Sequence, residues 1–424
     1  MRTIKPLALA IMAVLSTTAM ADGSRSTQTQ NGQDNLAEVN QSNAARSQAI
    51  QGQTGSNHNA FIEQINVSAS RAATSQHGLR QTSNISQLDS DGALVRQAQA
   101  GLDNDAQVVQ TGSTDVYVNQ YQVYHRNAAE AYQEQSSDTE IIQRQNGVGN
   151  LVYSDQFNED GSTSTVSQSG HANIASTLQY DGLANTAVID QVGERNVAEV
   201  EQVSSADSSA TVQQEGTENL GVIRQEGQSL QATTESLGDF NVQTVSQIGV
   251  GHSVLATQAG DSNTVDVVQM DQGSAVLLKQ MGDDNTIATL QTGGGQYAEV
   301  AQNGEANEAE LLQGGQENSV DAIQIGMRNI LSSTQDGLNN SLIAHTEGDM
   351  NLITLDQEGT DLAANFEQYG DGNVIEATQA GAGLTGTVMQ DGMNNLVTAS
   401  QTGYMNNYIV MQSGSQNAAT ITQQ

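Results

Sequence analysis

The chain has 424 residues, no Cys, no Trp and a single Pro, and 48 acidic residues against 13 basic ones give it a formal charge of −35. That charge argues against nucleic acid and anionic membrane surfaces as partners, and the absence of Cys excludes disulfides as a source of stability. Sparse aromatics and abundant Gln would suit a disordered chain, but the order of those residues does not.

Residues 1–21 read as a secretory signal peptide. Arg2 and Lys5 precede an apolar run from Leu7 to Leu15, and Ala19-Met20-Ala21 supplies small residues for cleavage before Asp22. The run is too short to span a bilayer, so no membrane insertion is expected. Without Arg2 and Lys5 the chain carries 11 basic and 48 acidic residues, a formal charge of −37.

Residues 22–424 form a single repeat array. One unit is Gln280-Met281-Gly282-Asp283-Asp284-Asn285-Thr286-Ile287-Ala288-Thr289-Leu290-Gln291. Its Asn position recurs at Asn35, His58, Gln81, Asn104, Asn127, Asn150, Asn173, Asn196 and Asn219, each at i+23 from the one before. It continues at Asn241, Asn263, Asn285, Asn307, Asn329, Asn351, Asn373, Asn395 and Asn417, each at i+22, giving 18 repeats. The Gly at the third position before the Asn fails only at Tyr124, and in the last eight repeats it is Gly260, Gly282, Gly304, Gly326, Gly348, Gly370, Gly392 and Gly414. The Gln at the sixth position after the Asn never fails: Gln41, Gln64, Gln87, Gln110, Gln133, Gln156, Gln179, Gln202, Gln225, Gln247, Gln269, Gln291, Gln313, Gln335, Gln357, Gln379, Gln401 and Gln423.

Each unit also holds a looser copy of itself, such as Gly293, Gln296, Ala298 and Val300. Its Asn-equivalent position varies through Ser274, Gln296, Asn318, Asn340, Leu362, Leu384 and Asn406. The structural unit is therefore one whole period, made of two unequal halves, and not the half alone.

Each half reads as strand then turn. Asn285, Ile287, Thr289 and Gln291 alternate with Thr286, Ala288 and Leu290, a period of two that contradicts a helix. Gly just beyond the Gln leaves the turn free to adopt positive φ, and the proline-free array suits a continuous ladder. The expected fold is all-β: a two-sheet β-solenoid of about 18 rungs, each with two short strands and two turns. At ~4.8 Å per rung the rod would be roughly 85 Å long. In-register stacking sets Gln on Gln and Asn on Asn as a structural amide ladder. An amide both donates and accepts, so identical neighbours satisfy it, whereas stacked carboxylates could not pair.

These residues resemble the curlin repeat, Ser-x5-Gln-x-Gly-x-x-Asn-x-Ala-x3-Gln. The Ser position is matched by Ser24, Ser47, Ser70, Ser162, Ser208 and Ser274, and the later positions in nearly every unit, as at Ser47, Gln53, Gly55 and Gln64. The resemblance spans essentially residues 24–424. It implies a subunit of curli-like functional amyloid, a biofilm fimbrium secreted through the periplasm to the surface of a Gram-negative bacterium. Implied partners are other copies of itself, a curli nucleator subunit, and an outer-membrane secretion pore with accessory chaperones. The array is much longer than in typical major curlins, and the Gly-rich segment that usually follows their signal is missing, since repeats begin at Ser24.

Nothing marks a catalytic, cofactor or metal site. The six His residues (His58, His77, His125, His171, His252, His345) form no close pair and are expected at the surface or in turns. Carboxylate pairs recur as repeat background and read as solvated faces. Tyr117, Tyr121, Tyr124 and Tyr132 read as a degenerate structural rung before a contact patch. An ice-binding solenoid would repeat Thr-x-Thr on one face, and here such pairs are sporadic, as at Thr420 and Thr422. A non-polymerising adhesin stalk would carry capped ends; the array starts on a repeat and stops on Gln423-Gln424, which favours end-to-end assembly. The charge of −37 leads to the further expectation that acidic faces repel where two rods join.

Overall fold

The computed structural model describes residues 23–424, so the signal peptide expected over 1–21 lies outside the described residues. Thirty-six strands follow one another, with no helix among the described residues. β1 (Arg25–Gln33) pairs with β3 (Gln48–Ser56), and β2 (Leu36–Ser42) pairs with β4 (Asn59–Ile65). Every later strand pairs in parallel with the one two further on, up to β35 (Asn407–Ser415) and β36 (Ala418–Gln423). Odd strands make one 18-stranded sheet, here sheet A, and even strands make sheet B. The chain is thus a two-sheet β-solenoid of 18 turns, as its repeat predicts.

The alternation in sequence decides which face is buried. In β24 (Thr286–Gly294), Ile287, Thr289 and Gln291 are buried, while Thr286, Ala288 and Leu290 are half-exposed. The space between the sheets holds Ala, Val, Ile and Leu beside inward-facing Gln, Ser and Thr, with Phe366 the largest fully buried side chain. Burial of these small side chains on every rung supplies the non-directional part of the stability, ~25 cal/mol per Å² of apolar surface. Register comes from the columns of polar groups described below.

The spacing changes where the sequence changes. Arg25 stands opposite Gln48, at i+23, whereas in β17 (Ser209–Thr217) and β19 (Gln231–Leu237) Ser209 stands opposite Gln231, at i+22. The extra residue of the early rungs lies in the arc from sheet B to sheet A. There two residues, such as Asn43 and Arg46, both adopt φ 51°, and single bridges between rungs run from Ala45↔Ser68 to Ala206↔Gln228. In the late rungs that arc takes the shape of the opposite one. Gly315 (φ 96°) and Glu317 (φ 56°) match Gly304 (φ 134°) and Ala306 (φ 57°). The unequal halves read from the sequence are therefore unequal in backbone only over the first half of the array.

The turn glycines are required twice over. The eight Gly from Gly260 to Gly414 have φ between 98° and 134°, a region costly to L-residues. A Cβ on Gly304 would also stand 1.9 Å from the Gly326 carbonyl oxygen of the next rung. Tyr124, the one exception, adopts φ 75° and is 55% exposed, and its carbonyl still accepts from Asn104 Nδ2 at 3.1 Å.

Candidate functional site: stacked amide ladders

Sheet B carries an unbroken glutamine ladder. From Gln41 to Gln423, Nε2 of each Gln donates to Oε1 of the next at 2.7–2.9 Å, through Gln64, Gln87, Gln110, Gln133, Gln156, Gln179, Gln202, Gln225, Gln247, Gln269, Gln291, Gln313, Gln335, Gln357, Gln379 and Gln401. The second N–H of the amide reaches a backbone carbonyl across the rung, as Gln313 to Tyr297 O at 2.9 Å and Gln335 to Ser319 O at 3.1 Å. Apart from Gln110, each buried Gln of this ladder has both donors and its acceptor engaged, which offsets the cost of burying the amide. A carboxylate would have no proton for the rung that follows.

The asparagine column works differently from the side-chain stack expected of it. The backbone N–H of Asn263, Asn285, Asn307, Asn329, Asn351, Asn373, Asn395 and Asn417 donates to Oδ1 of the Asn one rung earlier at 2.9–3.1 Å. Each of those from Asn263 to Asn395 also sends Nδ2 to a turn-glycine carbonyl one rung later, as Asn285 to Gly304 O at 2.9 Å. Amide-to-amide bonds such as Asn307 Nδ2 to Asn285 Oδ1 at 3.0 Å are additional. Asn is thus a cap that ties one turn to the next, and this explains its fixed place just after the turn Gly.

A second glutamine ladder lies on sheet A. It runs from Gln30 through Gln53, Gln76, Gln99, Gln122, Gln145, Gln168 and Gln191 to Gln214 at 2.8–3.1 Å. It resumes over Gln258, Gln280, Gln302 and Gln324, and again over Gln368, Gln390 and Gln412. Ser236 and Thr346 interrupt it. This ladder was not expected from the sequence; its signal is the Gln two residues before each turn Gly, as at Gln280 and Gly282. Gln368 shows what an interruption does: with Thr346 below it, its buried Oε1 has no partner.

Three buried titratable groups stand in the turns: His58, His252 and Glu159. His252 is buried; Ser274 N–H donates to its Nδ1 at 3.2 Å and its Nε2 lies 3.2 Å from Ile248 O. His58 is arranged alike, with Gln81 N–H at 3.4 Å from Nδ1 and Thr54 O at 3.2 Å from Nε2. Both rings therefore need a neutral Nδ1, and burial lowers both pKa values. They are turn residues, as expected, but not surface ones. Glu159 is 2% exposed; Ser162 Oγ donates to its Oε2 at 2.5 Å, while Oε1 has no partner and occupies the space left by Gly182. Burial pushes its carboxyl above the ordinary range. Among the described residues no group of three or more His, Asp and Glu is arranged around a metal-sized site.

No curated protein matches the chain. Residues 182–216 and 348–381 match the family model described as Curlin associated repeat. Each match spans at least one full rung, one segment from the longer-period part of the array and one from the shorter-period part. The chain is a solenoid of 18 rungs that carries curlin associated repeats.

Proposed function

We propose that the chain is a secreted structural subunit of curli-like functional amyloid, growing by end-to-end stacking of rungs and serving biofilm matrix and adhesion. The carrying observation is the unbroken ladder from Gln41 to Gln423, in which every rung offers the next one the same register and the same donor. Such a surface templates a further identical rung. On this reading the partners are other copies, a nucleator subunit and an export pore with its chaperones, and the role is structural, not catalytic.

The distribution of charge supports the same reading and corrects an expectation. Residues 392–424 contain no Asp, Glu, Lys or Arg, and residues 25–47 balance Arg25 and Arg46 against Asp34 and Glu38. The faces that would meet in a head-to-tail stack are therefore nearly neutral, and the −37 of the mature chain resides elsewhere. Elongation should consequently change little with salt.

The test is to release residues 22–424 from denaturant and follow them by electron microscopy and fibre diffraction. The expected result is unbranched fibres with a meridional reflection near ~4.7 Å. A folded monomer that stays soluble at all concentrations would overturn the proposal.

A further inference from the structure

The two outer faces of the first six rungs carry opposite charge. On sheet A the outward positions of β1, β3, β5 (Arg71–Leu79), β7 (Leu94–Leu102), β9 (Tyr117–His125) and β11 (Glu140–Val148) present Arg25, Arg71, Arg96 and Arg144, against Glu140 as the one acid. On sheet B the outward positions of β2, β4, β6 (Thr82–Leu88), β8 (Asp105–Thr111), β10 (Ala128–Glu134) and β12 (Leu151–Phe157) present Glu38, Glu63, Asp105, Glu130, Glu134 and Asp155, with no Lys or Arg. The formal charges are +3 and −6. All four arginines are exposed, and none has an ion-pair partner among the described residues.

This arrangement stands out against the rest of the chain. Seven of the 11 basic residues beyond position 21 fall before residue 147, and from there to the C-terminus 4 basic residues face 35 acidic ones. Aromatic side chains interleave the charges on both faces. Tyr121 is 49% exposed and stands opposite Arg144 in the register of sheet A, and Tyr153 is 37% exposed on sheet B.

We propose that the sheet A face of these six rungs docks sidewise on the acidic sheet B face of a second copy. The contact is heterologous, face to back, so it propagates and would gather rods into layers. Its occupant is specified by charge: sheet B of a copy lying level with the first brings six carboxylates and no base to the arginines. Sheets pack ~10 Å apart, about one Debye length at 0.1 M salt and about three at 1 M. Attraction across the contact therefore survives at moderate ionic strength and is lost at high ionic strength. Because the contact is between faces and not ends, it applies to single rods as well as to fibres and does not depend on the proposed growth.

The experiment uses residues 22–424, freshly folded for sedimentation velocity and, where fibres form, imaged for filament width. The wild-type chain should associate sidewise at about 0.1 M salt and separate at about 1 M. Arg71→Glu with Arg96→Glu should abolish that association at about 0.1 M salt while leaving the far-ultraviolet circular dichroism of the fold unchanged. Mixing that variant with one carrying Glu63→Lys and Glu130→Lys should restore pairs. Association by the arginine variant equal to wild type would overturn the proposal. So would a wild-type chain that does not self-associate but binds soluble polyglutamate through the same arginines, which would assign the face to a foreign polyanion.

Discussion

Thr346→Gln should stabilise the protein, although it places a larger polar side chain in the interior. Thr346 lies between Gln324 and Gln368 in register, at a gap in the sheet A ladder. Gln368 Oε1 is buried without a partner, and Gln324 Nε2 spends one N–H on Glu308 O at 3.0 Å with no ladder acceptor for the other. The new amide would supply a donor to the first and an acceptor to the second. Relieving a buried unpaired acceptor is worth about 1–3 kcal/mol, and the second bond about 0.5–1.5 kcal/mol. Freezing a glutamine side chain costs up to about 2 kcal/mol. The balance is a gain of about 1 kcal/mol, or roughly fivefold in the opening equilibrium. Amide hydrogen exchange over β29 (Ser341–Glu347) and β31 (Ala363–Tyr369) reads it directly, where a global midpoint would blur it over the whole stack of rungs. Exchange there that is unchanged or faster, in a chain that still folds, would refute the view that a ladder member is held by its neighbours' unmet hydrogen bonds.

Gln291→Ala removes the acceptor of Gln269 and the donor of Gln313; two buried groups at about 1–3 kcal/mol each should open exchange in β22 (Thr264–Gln272) and β26 (Glu308–Gln316) and leave distant rungs alone. Glu159→Gln should raise stability at neutral pH. The folded carboxyl sits above its unfolded value of 4.5, so stability is full below that pH and is lost as pH rises through the folded value; the variant should flatten that slope in exchange over residues 159–185. His252 has the opposite sign. Its folded pKa is below 6.5, so stability is full above about pH 6.5 and declines as pH falls towards the folded value. His252→Asn should remove that acid response, read as exchange of the Ser274 amide between about pH 7 and 5.

The interior was legible because it repeats. A period of two around Ile287 and Thr289 marked the buried face, and the two spacings of the Asn column set the register. Asn285 and its equivalents were placed in the right column, but their main bonds go to backbone, because position in a turn and not residue type decides what a side chain reaches. The change from i+23 to i+22 showed that the early rungs hold one residue more, but not that it lies in the arc from sheet B to sheet A, where Arg46 and its equivalents take a second positive φ. Glu159 was invisible among 48 acids. Its burial depends on Gly182, a rung away, and no local pattern joins the two.

The ladders also have a direction that composition alone would not reveal. Every sheet B Gln points its N–H to the rung that follows in sequence and its Oε1 to the rung before. Gln423 therefore keeps a donor beyond its bond to Asn407 O, and Gln41 keeps an acceptor. Head-to-tail contact would join that donor to that acceptor; like ends brought together would oppose acceptor to acceptor or donor to donor. On the proposed reading the inward ladder positions would thus specify growth along the axis. The outward positions are free of that constraint: in the early rungs the outward arginines lie on sheet A and all the outward acids but Glu140 lie on sheet B, without disturbing a single interior bond. Axial growth and sidewise association are consequently separable, because the side chains that would govern them never share a face of the sheet.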